Sequence, residues 1–200
     1  MKNKTPGKYQ KKLITIPNIL SFFRLCLIPV IVWLYCFKKD YFWTTFTLVL
    51  SGATDIVDGI IAREFDMVSD FGKAFDPVAD KLTQIVTLLC LVTRFPLMLI
   101  PLVILTIKEI VAATLNVVTI KRTGKVMGAV WHGKLNTVLL YGMMILHLIW
   151  YTIPPVVSNI MIIGCTIMML TSSVLYSRRN VHELKEQKDK LHGQQLKKSG

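Results

Sequence analysis

Apolar residues gather into six runs along the chain, near residues 17–37, 41–62, 73–93, 96–118, 135–152 and 156–177. Each approaches the length of about 20 residues that a helix needs to cross the hydrocarbon core of a bilayer. The breaks between them carry charge or turn signals: Lys38-Lys39-Asp40, the polar stretch after Arg63, Arg94-Phe95-Pro96, the link from Lys121 to Lys134, and Pro154-Pro155. The pattern predicts an all-α fold, a polytopic membrane bundle of six transmembrane helices. Residues 1–180 are expected to form the membrane domain, and the basic polar tail at 181–200 reads as a charged helix or a disordered extension. No internal repeat is visible.

Composition sharpens this picture. A chain of 200 residues that is 52% hydrophobic, with a mean hydropathy of +0.50, is too apolar for a soluble domain of its size. The formal charge of +12 raises the question of nucleic acid, but the 24 Lys and Arg sit mostly at the two ends and in the links between apolar runs. That distribution suits an anionic lipid surface and argues against a nucleic-acid partner. With six spans both termini lie on one side, together with the links after the second and fourth. Lys2, Lys4, Lys8, Lys11, Lys12, Lys121, Arg122, Lys125, Arg178, Arg179 and Lys185 then fall on that side, whereas Lys38, Lys39 and Arg94 fall on the other. The positive-inside rule makes the first side cytoplasmic, so the expected location is the cell membrane, multi-pass, with both termini in the cytoplasm. The basic start leads into a long apolar segment with no small-residue cleavage pattern behind it, so that segment is expected to stay in the membrane. Cys26, Cys36, Cys90 and Cys165 lie scattered in apolar runs and read as buried apolar residues. The four Trp read as interfacial anchors and the nine Met as bundle packing.

Candidate chemistry is concentrated in one place. Of 12 acidic residues, seven (Asp55, Asp58, Glu64, Asp66, Asp70, Asp76 and Asp80) occupy the 26 residues from 55 to 80. A carboxylate at membrane depth costs roughly 2.5–3.5 kcal/mol on insertion scales, so such a cluster is by default functional, paired or metal-bound. Asp55 and Asp58 are three apart, and Asp76 and Asp80 are four apart, so each pair shares one helix face. Four carboxylates converging on one point repel unless a cation neutralises them, and an all-oxygen site suits Mg²⁺, Mn²⁺ or Ca²⁺ rather than Zn²⁺. Such ions are usually shared with substrate phosphates, which points to phosphoryl or phosphatidyl chemistry. Gly59 beside Asp58 and Gly72 one turn before Asp76 leave backbone open to a bulky phosphate ligand, and Arg63 supplies a planar cation suited to a diphosphate. Glu64, Asp66 and Asp70 read as solvated charges of the polar link.

The pattern Asp55-x-x-Asp58-Gly59-x-x-Ala62-Arg63, eight residues, Gly72-x-x-x-Asp76-x-x-x-Asp80 resembles the signature of the CDP-alcohol phosphatidyltransferases at all eight specified positions. Together with the six-span layout, the likeness covers about residues 13–180. Ile16-Pro17-Asn18 is also similar to the start of the bacterial phosphatidylglycerophosphate synthases, the branch closest in appearance. The resemblance implies a homodimer with a polar cavity open to the cytoplasm and two metal ions, Mg²⁺ or Mn²⁺, held by Asp55, Asp58, Asp76 and Asp80. It implies that Asp80 is both ligand and catalytic base, and that Gly59, Ala62, Arg63 and Gly72 shape the CDP pocket. Ser69 either caps the third helix or touches the nucleotide. Membrane lipids and CDP-diacylglycerol are the implied partners, with a phosphatidyl group transferred to an alcohol and CMP released. Arg24, inside the first span, either snorkels to the interface or faces the cavity, and the cavity is the favoured reading.

Acceptor choice depends on cations outside the signature. Candidates are Lys108, Arg122 and Lys134, with Lys121 and Lys125 nearby. Lys108-Glu109 and Asn116 stand where phosphatidylglycerophosphate synthases carry Arg-Glu followed by Arg, and Gly133-Lys134-Leu135-Asn136-Thr137 is similar to their Gly-Lys-x-Lys-Thr segment. Asn116 and Asn136 therefore remove two charges, which weakens a dianionic phosphomonoester acceptor and leaves room for phosphatidylglycerol, the acceptor of a cardiolipin synthase. Overall likeness still favours glycerol 3-phosphate. A cation transporter with an intramembrane carboxylate site is the distant alternative; it accounts for the acids but not for the glycines or Arg63.

Overall fold

The computed structural model describes the backbone at residues 16–64, 70–123, 131–150 and 152–198, and side chains at 19–57, 60, 77–114, 135–150, 152–175, 177 and 178. Helix α1 (Ile16–Val32) runs into a π-helical turn, Trp33–Lys38. Helices α2 (Tyr41–Glu64) and α3 (Asp70–Val92) follow, then a 3-10 turn at Pro96–Met98 leading into α4 (Leu99–Thr123), α5 (Trp131–Ile149) and α6 (Pro155–Lys198). The helices coincide with the apolar runs, and among the described residues there is no strand. The fold is all-α.

Local chemistry explains the boundaries. Lys39 adopts the left-handed conformation (φ 53°) and its N–H reaches back to the Leu34 carbonyl, closing the π-helical turn. Asp40 then caps α2, its Oδ1 accepting from the Trp43 N–H at 3.1 Å while its carbonyl accepts from Thr44 N–H at 3.0 Å. Pro96 and Pro155 open helical turns, where a missing N–H costs nothing. Helix α6 continues as one piece through the polar tail to Lys198. There the sequence places Lys185 four before Asp189 and Glu186 four before Lys190, spacings that support a solvated helix.

Three stretches of the described residues are long and apolar enough to cross a membrane: Ile19–Lys38, Pro96–Thr114 and Pro155–Leu175. Leu135–Ile149 is apolar but shorter. Helices α2 and α3 carry the aspartate cluster, which dilutes their apolar character. The surface is that of a protein in lipid: Phe37 and Phe42 are each 75% exposed, and Ile56, Val138, Ile149 and Val156 also face outward. Trp33, Trp43 and Trp150 lie on this surface, while Met98, Met143, Met144 and Met169 are buried. The cysteines split differently from expectation. Cys90 and Cys165 are buried, but Cys26 and Cys36 are exposed, because a thiol in an apolar helix is as well accommodated by hydrocarbon outside as by side chains inside.

The chain divides into two compact units. The first comprises residues 1–96 and 144–153; in it α1 packs against both α2 and α3 around Leu27, Ile31, Leu48, Ala79, Leu88 and Leu91. His147, fully buried, meets Phe95 edge-on with ring centroids 4.9 Å apart. The second comprises residues 97–143 and 154–200, in which α4 packs against α6 around Leu102, Leu105, Ile162 and Met169.

The Lys39–Asp40 corner yields a stability prediction. Removing the cap with Asp40→Ala should cost about 1 kcal/mol, seen as a fall in Tm of roughly 2–4 °C for a chain of this size. Lys39→Gly, which relieves the left-handed backbone, should leave Tm unchanged or raise it. Thermal unfolding in detergent checks both; an unchanged Tm for Asp40→Ala would mean that the cap contributes nothing.

Candidate functional site

Beside its aliphatic core, the interior of the first unit holds a stretch of buried polar side chains. On α1, Ser21 and Arg24 are three residues apart and both 0% exposed. On α2, Ser51, Thr54 and Asp55 share one face, and on α3 the buried Asp80, Thr83, Gln84 and Thr87 do the same. Since α1 packs on both α2 and α3, these faces form a polar seam. The threonines cost little, because each hydroxyl donates to a carbonyl of its own helix: Thr54 to Leu50 at 2.7 Å, Thr83 to Ala79 at 3.0 Å and Thr87 to Thr83 at 2.8 Å.

Two charged groups of the seam meet across helices. Arg24 turns inward, and its Nη1 lies 2.5 Å from Asp55 Oδ1, with the Arg24 side chain fully buried and that of Asp55 42% exposed. Arg24 therefore points into the bundle toward Asp55 and does not snorkel outward. A buried guanidinium needs a counter-charge. Deleting one partner of a closed pair costs about 3–5 kcal/mol, less here because Asp55 is open to its surroundings.

Asp80 is held within its own helix. Gln84 Nε2 donates to Asp80 Oδ2 at 2.8 Å in a buried setting, and Lys81 Nζ stands 3.7 Å from the same oxygen. Among the described residues, Gln84 Oε1 is buried without a hydrogen-bond partner. A hydrogen bond to a charged group contributes about 1.5–3 kcal/mol, and an unsatisfied buried acceptor costs about 1–3 kcal/mol, so the two ends of this amide roughly offset each other. On stability alone this glutamine brings no clear gain over an aliphatic residue.

Both described carboxylates offer hard oxygen donors, the chemistry that a divalent ion such as Mg²⁺ or Mn²⁺ takes. Among the described residues no group of three or more His, Cys, Asp or Glu is gathered for a metal. Asp58 lies in α2 and Asp76 in α3, with side chains outside the described set. The same holds for Gly59, Ala62 and Arg63 in α2, Gly72 in α3, Asn116 and Arg122 in α4, and Lys134 in α5, while Ser69 lies outside the described residues altogether.

In the second unit, Lys108 is mostly buried, with Nζ 3.6 Å from Glu109. It lines a groove of about 430 Å³ between α4 and α6 whose walls are Ile104, Ile107, Val111, Leu170 and Val174. Arg178, Ser173 and Ser177 complete its polar part. Asn136 is 1% exposed, and its Oδ1 has no hydrogen-bond partner among the described residues.

Two contributors lay outside the expected site. Arg24 carried a signal, a cation inside an apolar span, but its partner was not legible. Gln84 carried a fainter one, a long polar side chain one turn beyond Asp80, where α3 turns from charged to mostly apolar residues.

Comparison with known proteins follows the same residues. The family model described as CDP-alcohol phosphatidyltransferase matches residues 14–174. The CDP-diacylglycerol--glycerol-3-phosphate 3-phosphatidyltransferase of Wigglesworthia glossinidia brevipalpis is 33% identical over 107 residues, 52% of this chain and 59% of that protein. The CDP-diacylglycerol--glycerol-3-phosphate 3-phosphatidyltransferase 2 of Arabidopsis thaliana is 37% identical over 94 residues, 45% of this chain and 40% of that protein. A cardiolipin synthase (CMP-forming) of Streptomyces coelicolor is 38% identical over 88 residues, covering 42% and 41%. The chain thus spans about half the length of these curated relatives. With the family match running from the start of α1 into α6, and the eight-position signature inside it on α2 and α3, the chain belongs to the CDP-alcohol phosphatidyltransferase family.

Proposed function

We propose that this protein transfers a phosphatidyl group from CDP-diacylglycerol to an alcohol, releasing CMP, as a step of phospholipid synthesis. The observation that carries the reading is the complete signature on α2 and α3, with its first and last aspartates seated at a buried polar seam of an otherwise lipid-facing bundle. Asp55, Asp58, Asp76 and Asp80 would hold Mg²⁺ or Mn²⁺, two ions in all, which supply charge neutralisation for the CDP diphosphate. Arg63 binds the diphosphate, Gly59, Ala62 and Gly72 leave room for it, and Ser69 contacts the nucleotide. Asp80 accepts the proton of the acceptor hydroxyl as its oxygen bonds to the phosphatidyl phosphorus, and the bond from that phosphorus to CMP breaks.

The proposed setting is the cell membrane, with six spans, both termini and the polar cavity cytoplasmic, residues 1–180 as the membrane domain, 181–200 as a basic tail, and a homodimer as the working unit. The six runs, the distribution of Lys and Arg, and the lipid-facing surface support this arrangement.

Glycerol 3-phosphate is the leading acceptor, supported by the relatives from Wigglesworthia and Arabidopsis, with Lys108, Arg122 and Lys134 binding its phosphate. Phosphatidylglycerol is the second reading. It is favoured by the uncharged Asn116 and Asn136, by the Streptomyces relative, and by the apolar walls of the groove beside Lys108, which suit an acyl chain.

Asp55→Asn, Asp58→Asn and Asp76→Asn should each lower turnover by about 100-fold or more, the scale of catalytic groups; retention of about a tenth of wild-type CMP release would count against the metal site. Asp80→Asn should keep CDP-diacylglycerol binding while losing transfer. Neutralising Lys108, Arg122 or Lys134 should raise the acceptor KM by roughly tenfold, as expected for a lost charge-assisted hydrogen bond, with CDP-diacylglycerol affinity retained. Labelled CDP-diacylglycerol incubated with glycerol 3-phosphate, phosphatidylglycerol, serine and inositol identifies the acceptor by the lipid formed. Phosphatidylglycerophosphate is the expected product, and Asn116→Arg with Asn136→Lys should sustain or improve it; cardiolipin with negligible use of glycerol 3-phosphate establishes the second reading instead.

A further inference from the structure

Gln84 lies outside the family signature and is fully buried one turn beyond Asp80 on α3. Its amide donates to Asp80 Oδ2 at 2.8 Å, while its own Oε1 has no hydrogen-bond partner among the described residues. Turning the amide over would offer the donors to other groups, but it would set two oxygens against each other at Asp80. The observed orientation serves the carboxylate and leaves the amide carbonyl uncompensated. The same helix buries Leu88 and Leu91 further along, and an aliphatic side chain at position 84 would pack without that loss, though it would take the donor from Asp80 Oδ2. Lys81 reaches the same Oδ2 at 3.7 Å, beyond hydrogen-bond length, so it contributes charge without direction.

We infer that Gln84 is a positioning residue for the transfer reaction: its N–H anchors Asp80 through Oδ2 and thereby fixes the direction in which the carboxylate meets the acceptor hydroxyl. The inference rests on the reading of Asp80 as the base. Gln84 touches neither substrate. It acts by keeping the carboxylate in one rotamer while the acceptor proton moves to Asp80, so its removal should slow transfer without weakening the binding of CDP-diacylglycerol. Misplacement of a catalytic group by about 1 Å can cost on the order of 100-fold in rate.

The test uses the full-length protein in detergent or nanodiscs, with Gln84→Leu, Gln84→Met and Gln84→Glu compared to wild type for kcat, for KM of each substrate and for Tm. Gln84→Leu and Gln84→Met should lower kcat by about 10- to 100-fold, keep the CDP-diacylglycerol KM within about twofold, and change Tm little, because loss of the donor to Asp80 and loss of the amide carbonyl act in opposite directions. Gln84→Glu, which keeps the shape but sets a second carboxylate against Asp80, should lower kcat at least as far. Wild-type kcat in the Leu or Met variant overturns the proposal, as does a loss confined to CDP-diacylglycerol KM. If none of the three variants folds, the residue is structural and the proposal fails. A wild-type protein that releases no CMP with any acceptor sinks the assigned reaction and this role together, whereas wild-type turnover with undisturbed variants sinks this role alone.

Discussion

Carboxylates carried inside an apolar helical bundle must be compensated, since the surrounding hydrocarbon offers nothing in exchange for lost solvation. Much else in the first unit answers that demand. Arg24 is drawn to the inside of α1 and pairs with Asp55, and Gln84 supplies a donor to Asp80. The threonines of the seam satisfy their hydroxyls within their own helices, so the polar interior needs few cross-helix bonds. Large apolar side chains also lie on the outside, where Phe22, Phe37, Phe42 and Ile56 are exposed.

The two compensations differ in kind. The Arg24–Asp55 pair joins α1 to α2, so it ties the position of a carboxylate to the packing of two helices. The Gln84–Asp80 contact spans one turn of α3 and survives any motion that leaves that helix intact. A proposed ligand held by packing and a proposed base held by its own helix give the site two independent sources of rigidity. The uncompensated Gln84 carbonyl is the kind of local cost that folded proteins tolerate where a function depends on it.

The second unit poses a separate question of charge count. Lys108 and Arg178 bring positive charge to a groove otherwise lined by aliphatic side chains and two serines, while Asn136 places a neutral amide in a buried position. A dianionic phosphomonoester calls for more cations than a phosphodiester. Under the proposed function, the balance of charge and apolar wall, rather than the aspartate signature, is what would discriminate between the two acceptors.

Much of this protein was legible along the chain. The positions of the helices followed from apolar runs and their breaks, because the need to pair backbone groups in lipid makes a helix of each long apolar segment. The family followed from Asp55, Asp58, Gly59, Ala62, Arg63, Gly72, Asp76 and Asp80, because a motif spread over neighbouring turns is a local property of the sequence. What tertiary structure decided was direction. Arg24 had two possible environments until α1 was packed on α2, and Cys26 and Cys36 were as compatible with a core as with lipid. Gln84 was one polar residue among several on α3 until its donor was seen on Asp80 and its carbonyl without a partner among the described residues. In a membrane both the interior and the surroundings are apolar, so hydrophobicity along a helix marks that it is a span but not which way each side chain turns; only packing between helices supplies that.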